Sequence, residues 1–134
     1  MSALALMELQ RALFAKLSAD STLMSLVGGV YDNVPQNTPL PYVIIGDGTQ
    51  VIRPADGLVI SECQLEIHVY TDSGGRKSAL EILNRLHALL HLGTLSLTGF
   101  QLISLRAEQA ATLLAEQGAQ FKGTMHLFVA IAEV

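Results

Sequence analysis

The chain has 134 residues, a formal net charge of −4 and a single cysteine. This length predicts one domain over residues 1–134, since single cores usually span about 100–200 residues. One cysteine excludes an internal disulfide, a hydrophobic content of 50% excludes a disordered chain, and the acidic balance argues against a basic nucleic-acid-binding surface.

The sequence predicts a soluble protein, made inside the cell and without a membrane partner. No apolar run approaches the roughly 20 residues that cross a bilayer, and the N-terminus lacks the basic start of a signal peptide. Eight basic and 12 acidic residues are few for the surface of so small a monomer. Because subunit interfaces are depleted in charge, the composition favours a homo-oligomer over the alternative, a Leu- and Ala-rich monomer coated by Ser, Thr and Gln.

The first third of the chain predicts two helices and a connector. Between Ser2 and Ala19, apolar residues at helical spacing predict an amphipathic helix whose stripe is Leu6, Leu9, Leu13, Phe14 and Leu17. Asp20 caps a short helix that ends at Gly28-Gly29. Residues 30–41 contain three prolines and predict an irregular connector.

The middle of the chain predicts two strands and a helix. Tyr42–Ile45 is a short strand that ends at the turn-rich residues 46–48, and residues 49–57 are an exposed loop. Ser61–Tyr70 alternates apolar and polar residues and is the clearest strand. Residues 77–92 predict a second long helix that stops at Gly93, with a stripe of Leu80, Leu83, Leu86 and Leu90 beside Ala79 and Ile82.

The last third predicts a long antiparallel hairpin. Phe100–Leu114 and Gln120–Ala132 are its strands and Gln117-Gly118 its turn, although residues 107–116 alone also suit a helical turn. The expected buried faces carry Ile103, Leu105 and Ala107 on the first strand and Met125, Leu127, Val129 and Ile131 on the second. The order α-α-β-β-α-β-β predicts an α+β fold, a mostly antiparallel sheet with two main helices packed on one face.

Two candidate ligand sites are weak. The segment Asp72–Ser78 lies between a strand and a helix, but it lacks the first glycine of a phosphate-binding loop and has Arg76 in place of the last one. His87 and His91 have the spacing of a metal-binding helix pair, but no third ligand accompanies them. We therefore expect no cofactor and no metal.

The remaining reactive side chains predict no enzyme. Cys63 lies on the apolar face of its strand and is expected to be buried. Glu62 and Glu66 share the opposite face with nothing that marks either as an acid–base partner. No serine, histidine and aspartate can be argued into a triad, so the catalytic set is expected to be empty.

The chain resembles a known family along nearly its whole length. The similarity lies in an ordered set of short segments, namely Glu8–Leu17, Ser18–Asp20, Leu26–Pro35, Pro41–Gly46, His68–Tyr70, Gly74–Ile82, Leu97–Gly99 and Lys122-Gly123. Together they are similar to the tail-completion, or tail-terminator, proteins of long-tailed bacteriophages and gene transfer agents. The Ala-rich residues 109–117 depart from the polar hairpin tip of that family.

The resemblance implies a structural virion protein that is assembled in the cytoplasm of a host bacterium. Such proteins form a hexameric ring at the head-proximal end of the tail, where they cap the tail tube, stop its polymerisation and join it to the connector proteins of the head. DNA passes through the ring without sequence-specific binding. The alternatives are a neck or stopper (head-completion) protein and a small-ligand-binding α+β dimer.

The interface with the tube is predicted where charged and polar residues appear in this charge-poor chain. Binding residues concentrate on loops and exposed strand faces of a rigid scaffold. The candidate interface residues are Arg53, Asp56, Arg106, Glu108, Gln117 and Lys122.

Overall fold

The computed structural model describes residues 4–72, 76–114 and 121–134. The elements in chain order are α1 (Leu6–Ser18), α2 (Ser21–Leu26), β1 (Val30–Tyr31), β2 (Tyr42–Ala55), β3 (Leu58–Thr71), α3 (Arg76–Leu90), β4 (Phe100–Leu114) and β5 (Phe121–Glu133). The strands form one sheet in the order β1-β2-β3-β5-β4. The β1–β2 pair is parallel, and the other three pairs are antiparallel. The predicted α+β class is confirmed.

The two long helices are confirmed, with two errors in their apolar stripes. Phe14 was expected in the stripe of α1 but is 48% exposed, because each residue turns a helix by about 100° and position 14 therefore points to one flank of the buried Leu13. Leu80 was expected in the stripe of α3 but is 52% exposed on a flank of that helix. Helix α3 ends at Leu90, and the left-handed residue Leu92 (φ 58°) follows it, one position before the glycine expected to stop the helix.

Strand β2 corrects the predicted loop at residues 49–57. The strand does not end at Gly46 but continues to Ala55 opposite β3. The register shifts between Ile45 and Gly48, which is a β-bulge, and a Cβ on Gly46 would lie 2.8 Å from the His68 Nε2 atom. The glycines thus permit a bulge and a close approach instead of ending the strand. Asp56 and Gly57, both with positive φ, form the hairpin turn, and such Asp-Gly pairs strongly favour two-residue hairpins.

The connector at residues 30–41 is irregular except at its start. Val30 and Tyr31 form β1, which pairs with Val43 and Ile44 of β2. A two-residue strand leaves no alternation in the sequence from which it can be read.

The hairpin of β4 and β5 is confirmed, and the helical alternative for residues 107–116 is wrong over its described part, since β4 runs to Leu114. Met125, Leu127, Val129 and Ile131 are buried as expected. Ile103 is 53% exposed instead of buried, because β4 has a register shift between Leu102 and Ser104 that turns the side chain away. The expected turn at Gln117-Gly118 lies outside the described residues.

The sheet has two different faces. The covered face packs against the helices in one core cluster that includes Leu9, Leu13 and Leu86. Alternate residues of β3, from Ser61 to Thr71, belong to it and are buried. The other residues of β3 and their cross-strand partners form the open face, which carries no helix among the described elements. The two main helices therefore pack on one side, as predicted.

Candidate assembly interface

The predicted interface residues on β2 lie near one end of the open face. Arg53 belongs to β2 instead of a loop, and its Nε atom is 3.2 Å from the Oε1 atom of Glu62 on β3. Both side chains are more than half exposed, so the ion pair is solvated and weakly stabilising. Asp56 is exposed in the hairpin turn just beyond. Arg53 and Asp56 are accessible to a partner at this end of the sheet.

Arg106 lies near the middle of the open face. It pairs in register with Phe128, and its guanidinium carbon is 5.9 Å from the centre of that ring, within the range of a cation–π contact. The Nη1 atom of Arg106 donates a hydrogen bond of 2.5 Å to the Oε1 atom of Glu108. Glu108 lies at the second register shift of β4, which brings it within reach of Arg106.

Lys122 lies near the opposite end of the open face, in a row with tyrosines that the sequence analysis did not single out. Its Nζ atom is 5.7 Å from the centre of the Tyr70 ring. The Tyr70 ring is 5.6 Å from that of Tyr42, which is 6.1 Å from that of Tyr31. All three tyrosines of the chain therefore form one row across β1, β2 and β3. Once register is known, strand alternation places Tyr42 opposite Tyr70, but the sequence alone does not provide that register.

The structure brings the predicted interface residues to one face but not to one cluster. Phe121 at the start of β5 pairs with Thr71, whereas Ala132 near its end pairs with Ile60. The β2–β3 turn and the paired residues Leu114 and Phe121 are therefore at opposite ends of the sheet. Strand β3 has 14 residues, so these ends are about 45 Å apart at about 3.3 Å per residue. Gln117 lies outside the described residues.

A polar cluster separates the two ends of the open face. The Glu66 carboxylate lies 3.4 Å from the Nε2 atom of His68 and 3.8 Å from the Nδ1 atom of His126. The Nδ1 atom of His68 is 3.1 Å from the Thr124 hydroxyl. Burial lowers the pKa of His68, helped by the nearby charge of Lys122 and opposed by Glu66. The geometry suits a neutral His68 with Thr124 as its hydrogen-bond partner.

Comparison with models of protein families identifies the family of this chain. The family model described as tail completion protein gp17 matches residues 11–132. The chain belongs to this family. A chain of the solved structure "Virion of native gene transfer agent (GTA) particle" is 25% identical, with a TM-score of 0.87 and coverage of 98% of this chain and 99% of that chain.

Two further comparisons add less. A second solved structure, 17% identical with a TM-score of 0.60, covers 98% of both chains and shows the fold alone. A search of curated proteins gives no significant match. Family membership places the chain among the structural proteins of phage tails, as the resemblance in its sequence implied.

The histidine pair weighed from the sequence as a metal site has a structural contact in this tail completion protein. Within the described ranges no three His, Cys, Asp or Glu side chains are grouped to hold a metal. The rings of His87 and His91 stack with centres 4.7 Å apart, and the Nδ1 atom of His91 accepts a hydrogen bond from the Ala107 N–H at 3.1 Å. This hydrogen bond connects the residue that follows α3 to β4, so the role of His91 is structural.

The phosphate-loop candidate is described only in part, and the cysteine is buried. Residues 73–75 of the candidate loop lie outside the described part of the chain, and the Arg76 guanidinium carbon is 5.4 Å from the centre of the Phe121 ring. Burial raises the pKa of Cys63 to about 11, so its thiol stays protonated at neutral pH. Among the described helices, none is long and apolar enough to cross a membrane.

Proposed function

We propose that this protein is the terminator of a tail tube. It forms a hexameric ring at the head-proximal end of the tail, stops polymerisation of the tube protein and provides the surface to which the head's connector proteins join. The observation that carries this proposal is the match over residues 11–132 to the tail completion family. The likeness to a chain of a gene transfer agent virion supports it, because nearly the full length of both chains is covered.

The arrangement of the open face suits a protein with two partners. Arg53 and Lys122 pair with Ile60 and Tyr70 of β3, and these positions are about 33 Å apart at about 3.3 Å per residue. A rigid sheet of this length separates two binding surfaces by most of a small domain's diameter. One end then contacts the tail tube, and the other end contacts the connector. This role requires two binding surfaces and no chemical reaction. We infer that the protein is a structural component and not an enzyme.

The net charge suits a ring that surrounds the path of the genome. Six copies at −4 each carry a formal charge of −24. Phosphate contacts from Lys and Arg supply most non-specific affinity for DNA. Three of the cations on the open face are already engaged, Arg53 and Arg106 by carboxylates and Lys122 by an aromatic ring. DNA is therefore expected to pass through without being retained.

The proposal is tested by adding the purified protein to polymerising tail-tube protein and measuring tube lengths by electron microscopy. Wild type should give tubes of limited length that join heads. The triple variant Arg53→Glu, Arg106→Glu and Lys122→Glu should fold but allow overlong, headless tubes, because it reverses the cations at both ends and the middle of the open face.

A matched variant controls for the change in charge. Reversing Lys16, Arg76 and Lys77, which lie in α1 and α3, changes the net charge equally and should leave length control intact. Tubes whose lengths do not respond to wild type would contradict the terminator function. Binding to purified heads without any effect on tubes would favour the head-completion alternative.

A further inference from the structure

Three polar side chains meet in the middle of the open face and form the Glu66 cluster, which consists of Glu66, His68 and His126. Glu66 and His68 are two positions apart on β3, and His126 is the partner of Glu66 on β5. One oxygen of the Glu66 carboxylate is 3.4 Å from the Nε2 atom of His68, and the other is 3.8 Å from the Nδ1 atom of His126. Two imidazoles on adjacent strands therefore share one carboxylate.

His68 is the more confined of the two imidazoles. Its side chain is 17% exposed, against 32% for His126. Its Nδ1 atom is 3.1 Å from the Thr124 hydroxyl, and its Nε2 atom is so close to Gly46 that a Cβ there would lie 2.8 Å away. A hydroxyl both donates and accepts hydrogen bonds, so Thr124 satisfies a neutral His68 in either tautomer. These contacts leave little water to solvate a positive charge on this ring.

His126 is better placed to carry a proton. It lies directly opposite Glu66 in the register of β3 and β5, and a carboxylate within about 4–6 Å favours the charged form of an imidazole. Because the side chain of His126 is more exposed than that of His68, water solvates part of the charge. Glu66 and water therefore both favour a proton on His126.

The charges that face His68 come from three strands. Asp47 in the bulge of β2 and Glu66 on β3 favour a positive charge on His68, whereas Lys122 and a protonated His126 on β5 oppose it. Burial is the largest influence and lowers the pKa of His68, in the same direction as the two cations. A proton on His126 therefore makes a second proton on His68 less favourable.

The other titratable neighbours on the open face have contacts of their own. Tyr70 follows His68 on the same face of β3 and lies beneath the Nζ atom of Lys122. On β4, the residue opposite His126 is Gln109, which carries no charge, and the adjacent glutamate is hydrogen-bonded within β4. The Glu66 cluster is therefore the group of side chains in which mild acid changes the charge of this part of the face.

We propose that the Glu66 cluster is a proton-sensitive switch that takes up a single proton. In mildly acidic solution His126 becomes charged and pairs with Glu66, while His68 stays neutral beside Thr124. The cluster then changes from one formal negative charge to no net charge, and the fold does not change. The inference does not depend on the terminator function, because it concerns the isolated protein.

The position of the switch gives it a consequence for binding. The cluster lies between the end of the open face that carries Arg53 and the end that carries Lys122. A partner that covers Glu66 removes its carboxylate from water, which is costly when no opposite charge lies beside it. Protonated His126 supplies that charge, so contacts over this part of the face become more favourable in mild acid.

The order of protonation is measured by nuclear magnetic resonance on the full chain between about pH 8 and pH 5, the range in which imidazoles change charge. The Hε1 proton of each ring is followed, and the variants His68→Gln and His126→Gln assign the two resonances. His126 should titrate at the higher pH, and His68 should titrate only after it. Circular dichroism over the same range should show an unchanged fold.

Removal of the shared carboxylate tests the coupling within the cluster. Glu66→Gln keeps the shape of the side chain but removes its charge, so the transition of His126 should move to lower pH. The matched control is Glu62→Gln, which removes the same charge from the same face of β3 beside Arg53 and should leave that transition in place. His126→Gln should move the transition of His68 to higher pH, because a positive charge no longer opposes it.

The inference is overturned if His68 titrates before His126 or together with it. It is also overturned if the transition of His126 does not respond to Glu66→Gln, or responds equally to Glu62→Gln. The order in the wild-type chain decides the matter even where a variant does not fold. Failure of the proposed function is distinguishable, since a chain that titrates in the expected order but does not limit tube length would retain the switch and contradict the terminator function.

Discussion

The two faces of the sheet belong to the same strands but differ in the burial and polarity of their side chains. On the covered face, Cys63, Leu65, Ile67 and Val69 of β3 are buried against the helices. On the open face, the alternating residues Glu62, Gln64, Glu66 and His68 remain exposed or half-buried. All of these except Gln64 have ion pairs or polar contacts. Burial of apolar surface therefore determines the fold on one face, while the other face can vary without loss of the core.

The candidate interface on the open face carries two ion pairs between exposed side chains. Ion pairs between exposed side chains contribute about 0–1 kcal/mol each, so Arg53–Glu62 and Arg106–Glu108 can be broken at small cost when a partner binds. Side chains on the covered face are packed against the helices and are not accessible to a partner in this way. The open face is accordingly the surface where assembly should act.

The largest expected effect is a charge placed on the covered face. Ile67→Asp would bury an unpaired carboxylate at a fully buried position, at a cost of several kcal/mol, against a total stability of about 5–15 kcal/mol. We expect this variant not to fold. Gln64→Asp introduces the same group on the open face and should fold normally. Circular dichroism and thermal unfolding compare the two, and similar behaviour of both would show that the assignment of faces is wrong.

A second prediction compares equal truncations at the two faces. Leu127 is fully buried on β5, whereas Leu58 at the start of β3 is 53% exposed. Leu127→Ala should reduce the free energy of unfolding by about 2–5 kcal/mol and Leu58→Ala by about 0.5 kcal/mol. Urea denaturation measures both values. Equal losses would mean that the covered face does not hold the core.

The covered face was more predictable from the sequence than the open face. Strict alternation in Ser61–Tyr70 and helical spacing in α1 and α3 are local signals, and they identified most of the core. The bulges in β2 and β4 are not local signals, because the position of one extra residue depends on how the neighbouring strand pairs. Residues 46–57 were therefore read as a turn and a loop, although Asp56-Gly57 carries a hairpin signal.

The candidate site was predictable only as a set of residue types. Charges in a charge-poor chain pointed to Arg53, Arg106 and Lys122, and all three lie on the open face. Their separation toward opposite ends follows from the register of β3 and β5, which no short segment encodes. The tyrosine row depends on tertiary packing in the same way.

A third prediction uses acid to weaken the helix layer selectively. The Arg85 guanidinium, at 2.7 and 2.9 Å, and the Leu23 N–H lower the pKa of Asp20 from 3.8 to about 2. The folded protein thus binds fewer protons than the unfolded chain below about pH 4, so this contribution to stability is present above pH 3.8 and is lost as the pH falls toward 2.

The matched variant is Asp20→Asn, which retains an N-cap side chain but cannot titrate. Its free energy of unfolding should change less steeply than that of wild type between pH 5 and pH 2. Urea denaturation at several pH values measures both slopes, and parallel curves would contradict the role given to this pair.

The smallest expected effect belongs to the open face. The pKa of His68 is lowered from 6.5 by burial and by Lys122, so the folded protein favours the neutral imidazole. Stability contributed by this group is complete above pH 6.5 and decreases as the pH falls below it. His68→Gln should remove that decrease between pH 7 and pH 5. Titration of the imidazole by nuclear magnetic resonance checks the sign directly: a pKa above 6.5 would contradict it.

The most direct test of the central claim is a reconstruction of the junction between head and tail in particles that contain this protein. The account predicts one closed ring of this chain between the last ring of the tail tube and the connector. Particles from cells that lack the gene should have overlong tubes without heads. The account would be contradicted if this density lay at the distal tip of the tail, or if particles without the protein had tails of normal length joined to heads.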